Sequence, residues 1–165
     1  MKKLLFLLPV IIILAGCGYS TNYINKSINI ETKTKTENKI TGKTINLSNQ
    51  GLTKVPMSIF DKTDTETLDL SNNQLTGALP AEIRHLQNLK VLKANNNLMT
   101  GVPAEIGQLS KLETLDLSNN QLTGLPNELA NLKNLKTLNL SGNNYSQQDL
   151  DNIKKSLPNT KFILK

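Results

Sequence analysis

From Thr44 to the end of the chain, apolar residues recur in a fixed motif. Five stretches align: INLSNQGLTKVP, LDLSNNQLTGALP, LKANNNLMTGVP, LDLSNNQLTGLP and LNLSGNNYS. Their first apolar residues are Ile45, Leu68, Leu92, Leu115 and Leu138, spaced 23, 24, 23 and 23 residues apart, with Ala78 as the extra residue. In each stretch a single residue separates the two leading apolar positions, the period-two pattern of a short strand with one buried side. An apolar residue and then a proline follow in the first four: Pro56, Pro80, Pro103 and Pro126. Proline suits the first position of a helical turn, where an N–H would have been unpaired. Behind it, apolar residues fall at every third position, as in Ile83, Leu86, Leu89 and Leu92. That spacing predicts a short helix or 3-10 segment returning along the outer side. One such unit cannot bury its leucines, whereas a stack of them can.

Between strand and proline each later unit carries an asparagine: Asn73, Asn97, Asn120 and Asn143. Placed where the chain turns inward, these amides are predicted to bond the backbone of neighbouring turns as a structural ladder. The ends of the stack differ from its middle. In the first unit Lys62 and Thr65 stand at leucine positions, Gln50 stands at the ladder position, and Phe60 is available to cover the end. At the other end Tyr145 replaces a leucine and SQQDLDNIKKSL follows. Ser146 with Asp149 resembles a capping box, Leu150, Ile153 and Leu157 share one helical side, and Lys154 and Lys155 suit the negative helix end. Pro158 stops the helix, and KFIL reads as a closing strand.

A period in the low twenties with L-x-L-x-x-N-x-L, sustained over residues 44–165, resembles the leucine-rich-repeat family. The resemblance implies an α/β fold class: a short curved solenoid, parallel strands on its concave face, short helical or 3-10 segments on its convex face, and a C-terminal helix cap over 146–165. It also implies a surface that binds a protein or a glycan.

The first residues are of another kind. MKK is followed by LLFLLPVIIIL from Leu4 to Leu14, the basic head and apolar middle of an export signal. The run is shorter than the roughly 20 residues of a membrane span, and Pro9 interrupts it. LAGC then ends on Cys17, the only cysteine of the chain. This quartet resembles the lipobox of bacterial lipoproteins. In that family the thiol takes a diacylglycerol, the signal is cut just before the cysteine, and the new amino terminus is often acylated too. An ordinary secretory signal or a membrane-anchoring helix is the other reading of this cysteine. A lone cysteine forms no internal disulfide, and His85 is the single histidine available to serve as a base. Carried over, the organisation is a removed signal peptide at 1–16, lipidated Cys17 with an Asn/Thr/Lys-rich tether over 17–43, and the repeat domain at 44–165. The location implied is lipid-anchored and extracytoplasmic, on the cell membrane or an outer membrane.

Net charge changes this picture little. Of the formal +6, the tether from 18 to 43 carries +3 and residues 44–165 carry only +1. No basic stripe with stacking aromatics is visible, so a nucleic-acid partner is not expected. The tether shows no sustained apolar period, and about 25 such residues span on the order of 27 Å as a coil. Ile28 and Ile30 alternate as in a strand, so a short strand or hairpin leading into the repeats is the alternative there.

Outward positions of the strands form the candidate binding surface: Asp69, Ser71, Val91, Lys93, Asn95, Asp116, Ser118 and Asn139. Lys93 falls between Asp69 and Asp116, as a cross-strand charge pairing or as a ligand contact. The third unit is irregular, with Ala94 and Met99 at leucine positions and apolar Val91 and Leu98 at polar ones. Core compensation is one account of this, an exposed apolar patch beside Lys93 the other. Five strands showing three residues each offer roughly 240 Å² in projection, well below the ~800 Å² per partner of a standard interface. No nucleophile–base pair, metal-ligand cluster or phosphate loop stands out, so an enzyme and a bound cofactor are not expected. The expected function is a membrane-anchored binding module; the alternative is a passive spacer of the cell envelope.

Overall fold

A computed structural model describes residues 43–165; the signal, Cys17 and the strand or hairpin expected near Ile28 lie outside the described residues. The short L-x-L stretches form parallel strands β1 (Thr44–Asn46), β2 (Thr67–Asp69), β4 (Val91–Lys93), β6 (Thr114–Asp116) and β7 (Thr137–Asn139). With β8 (Lys161–Ile163) they build one six-stranded sheet in the order β1-β2-β4-β6-β7-β8. Corresponding repeat positions pair directly: Thr44, Thr67, Val91, Thr114 and Thr137 form one row, and Ile45, Leu68, Leu92, Leu115 and Leu138 the next. The inward leucines of β2, β4, β6 and β7 are fully buried, as are Leu70, Ala94, Leu117 and Leu140 two positions on. The fold is a short leucine-rich solenoid.

The return segments are 3-10 turns at Met57–Asp61, Ala81–His85, Ala104–Gln108 and Asn127–Asn131. Each proline stands one place earlier than a first helical position would. Its φ lies between −58° and −71° with an extended ψ. Its carbonyl accepts the first turn bond, as in Ile83 N–H to Pro80 O at 3.1 Å. Proline's ring fixes that φ and so sets the corner from which the turn starts. At the first repeat Thr65 replaces a leucine yet is buried, because its hydroxyl donates to Lys62 O at 2.6 Å. Phe60 is 2% exposed beside it.

At the far end α1 (Gln147–Ser156) buries Leu150 and Ile153 against the last repeat. The Ser146 hydroxyl accepts from Asp149 N–H at 3.4 Å. Asp149 uses its own carboxylate elsewhere: Oδ2 accepts from Leu125 N–H at 3.1 Å, tying the helix start to the fourth repeat. Lys154 lies over the Phe162 ring, 5.6 Å from its centroid, and so links α1 to β8.

Two features add to the sequence reading. Thr76–Gly77 (β3) and Leu98–Met99 (β5) form a second, two-stranded parallel sheet past the asparagine turns. Asn49, Asn72, Asn96 and Asn119, each just before the ladder position, all have φ between 52° and 58°. Asparagine is one of the few residues that adopts this left-handed conformation at low cost. Gly142 completes the row at φ 69°, where a Cβ would lie 2.3 Å from Asn119 Oδ1.

Candidate functional site

The exposed side of the six-stranded sheet is assembled by register. Asn46, Asp69, Lys93, Asp116 and Asn139 stand side by side on adjacent strands. Four of the five are held by the serine two residues on. Ser71 donates its N–H and its hydroxyl to Asp69 Oδ1, at 2.9 and 2.6 Å. Ser118 does the same for Asp116, at 3.0 and 2.6 Å. Ser48 and Ser141 hold Asn46 and Asn139 likewise. The turn after each strand thus fixes the side chain before it, so a row of acceptors is oriented before any ligand arrives.

This changes the roles of the candidate residues. Ser71 and Ser118 are buried and their hydroxyls are spent on the carboxylates, so they support the row from below. Lys93, which has no such brace, pairs with Asp69 Oδ2 at 3.8 Å. Asp116 enters none of the ion pairs among the described residues, which leaves the row with one braced, uncompensated carboxylate. Val91 lies half-buried in the threonine row of this face, and Asn95 takes the serine position of the third repeat. Leu98, in contrast, belongs to the small second sheet and is 44% exposed there. Val91 and Leu98 therefore form no common apolar patch beside Lys93. Ala94 and Met99 are both fully buried, and flexible methionine suits an irregular core position.

The inner asparagines are wholly occupied by backbone. Asn97 Oδ1 accepts from Leu75 N–H at 3.0 Å, and its Nδ2 donates to Leu70 O and Ala94 O at 3.0 and 3.1 Å. Asn73, Asn120 and Asn143 repeat this pattern in their own turns. Above them Asn96 Nδ2 donates to Asn72 Oδ1 and Asn119 Nδ2 to Asn96 Oδ1, a second chain lying at the surface.

A further charged row stands one residue ahead of the strands and alternates in sign: Lys43, Glu66, Lys90, Glu113, Lys136. Glu66 lies 2.9 Å from Lys90 and 3.6 Å from Lys43, and Glu113 lies 2.7 Å from Lys136. The hydrogen bond and charge of Lys90 hold the Glu66 carboxyl below the usual carboxylate range, and Glu66 in turn raises Lys90. The pairs are exposed, so each contributes little to stability. The row is visible in the sequence once the repeats are aligned on their strands.

His85 is exposed at the end of its 3-10 turn, on a different element from Ser71 in the turn after β2. No group of three His, Cys, Asp or Glu side chains placed to hold a metal occurs among the described residues.

A sequence model of the leucine-rich repeat region matches residues 32–163. Among solved structures, a leucine-rich-repeat protein of Leptospira interrogans is 44% identical over 67% of this chain and 28% of its own, with TM-score 0.63. The ectodomain of the Arabidopsis thaliana receptor kinase SOBIR1 is 32% identical over 73% of this chain and 67% of its own, with TM-score 0.61. The plant peptide hormone receptor RGFR1, solved in complex with RGF2, is 38% identical over 73% of this chain and 20% of its own, with TM-score 0.62. The chain thus spans under a third of the Leptospira protein and a fifth of the hormone receptor. No curated protein sequence matches it significantly. The sequence match covers most of the chain and the repeats stack as the motif requires; the chain belongs to the leucine-rich-repeat family.

Proposed function

We propose that this chain is a binding module that takes a protein partner on the open face of its six-stranded sheet. The observation that carries this reading is the braced row from Asn46 to Asn139. A side chain ordered by its own serine loses little freedom when a ligand arrives, so the row is built to present acceptors. The solved relatives favour a protein over a glycan, since the plant hormone receptor is seen in complex with its hormone. Against ~800 Å² for a standard interface, the row itself is small, so binding through it alone is weak.

We further propose that the module is held on the extracytoplasmic side of a membrane by lipid on Cys17. Its support is the L-A-G-C quartet behind a basic, apolar leader. One acyl chain holds marginally, and two or three hold firmly. Wild type is expected in the membrane fraction and Cys17→Ser in the soluble fraction, with protease on intact cells reading the side. If wild type and Cys17→Ser fractionate alike, the anchor is wrong.

A further inference from the structure

Past the carboxyl ends of the first strands, away from the braced row, the first three repeats enclose a cavity of about 270 Å³. Its wall is apolar, built by Val55, Met57, Leu75, Ala78, Leu79 and Met99. Met57 and Leu98 are the exposed large hydrophobic side chains among the described residues, at 53% and 44%. Met57 lines the cavity, whereas Leu98 stands in the neighbouring two-stranded sheet beside Met99, which lines it. Ala78, the residue by which the second repeat is longer, forms part of the wall and is exposed. Lys54 stands at the same cavity and enters none of the ion pairs among the described residues. Met57 thus brings exposed apolar surface to the hollow, and Lys54 places an ammonium outside the ion pairs beside it.

We propose that this hollow is the anchor pocket for the partner protein, taking one Phe or Leu side chain that is flanked by Asp or Glu. The proposal rests on the reading that the open sheet face binds a protein, and it says where most of the affinity resides. Tight interfaces concentrate their energy in a large side chain seated in a dry pocket. The braced row offers no such pocket, and a partner large enough for a standard interface must reach past its edge. The hollow falls just below the ~300–1,000 Å³ of typical small-molecule sites, which suits a single side chain. Charge complementarity selects the neighbour: Lys54 attracts a carboxylate and repels a base.

The chain has three methionines, Met1, Met57 and Met99, and two of them line the hollow. Carbon-13 methyl labels on methionine therefore report on it directly, in the full chain carried in lipid nanodiscs. The probes are N-acetyl-Glu-Phe-amide, N-acetyl-Lys-Phe-amide and octanoate. The Met57 and Met99 signals should shift saturably with the Glu-Phe probe, and about fivefold more weakly with Lys-Phe. Lys54→Glu should reverse that order, and Ala78→Phe, which fills the hollow, should remove both shifts while the spectrum stays that of the folded protein. Equal binding of the two dipeptides, or no saturable shift, overturns the proposal. Octanoate binding more tightly than Glu-Phe assigns the pocket to an amphiphile and overturns the protein partner. Lys93→Glu on the open sheet face should leave the titration unchanged. Partner binding that is lost in Lys93→Glu but kept in Ala78→Phe would sink the pocket and leave the sheet-face reading standing.

Discussion

Replacing Asn120 by alanine is expected to destabilise the solenoid by about 3–5 kcal/mol, more than any surface change in the same repeat. The side chain is 8% exposed and spends every polar atom on backbone. Oδ1 accepts from Met99 N–H at 3.0 Å, while Nδ2 donates to Ala94 O and Leu117 O, each at 3.0 Å. Alanine leaves this donor and these acceptors where water does not reach, and each orphaned group costs about 1–3 kcal/mol. The groups belong to the third and fourth repeats, so the damage falls on the joint between them. Asn120→Asp should also fail, because it keeps the acceptor but turns the donor into a second acceptor. Asn96→Gly provides the contrast: its amide lies at the surface, its φ of 55° suits glycine, and its loss should cost about 0.5 kcal/mol or less. Urea titration of the three variants measures this. An Asn120→Ala loss below about 1 kcal/mol would remove the ladder from the account of stability.

The second large effect lies on the convex side, where one methyl group is enough. A Cβ built on Gly107 would fall 2.3 Å from Glu128 O and 2.8 Å from Glu128 C, both backbone atoms of the next turn. Backbone cannot swing aside as a side-chain tip does, so Gly107→Ala must push the Ala104–Gln108 and Asn127–Asn131 turns apart. Overpacking of this kind costs about 1–3 kcal/mol, a fall of roughly 3–10 °C in melting temperature for a domain of this size. The equivalent positions, Arg84 and Ala130, carry side chains, so the close approach belongs to this one joint. Ala130→Gly should shift the melting temperature far less. A Gly107→Ala protein that melts with wild type would show that the two turns have room to part.

The solenoid was legible because its signals are local and repeated. Leucine at period two gives the strands, proline gives the corners, and apolar residues at every third position give the return turns. The same period two places Asp69, Lys93 and Asp116 in one row of the sheet. It does not tell which carboxylate the lysine joins, because that depends on how two side chains lean between strands. The bracing by Ser71 and Ser118 was missed for a different reason: a serine in a polar position reads as exposed, and only the turn geometry reveals that it is buried. Leu98 shows the limit of repeat alignment. Its position marks it as unusual, but the small second sheet that carries it away from Val91 forms by pairing between loops. The cavity beside Met57 is further from the sequence still, since three repeats must be stacked before it exists.

The central claim is that the open sheet face meets a protein partner, and photo-crosslinking in intact cells tests it most directly. A photoreactive residue at Val91 lies on that face, and one at Gln108 lies on the convex turns. A discrete adduct from Val91, lost when Lys93→Glu is added and absent from Gln108, is the predicted result. No adduct from Val91, or the same adduct from both positions, would contradict it.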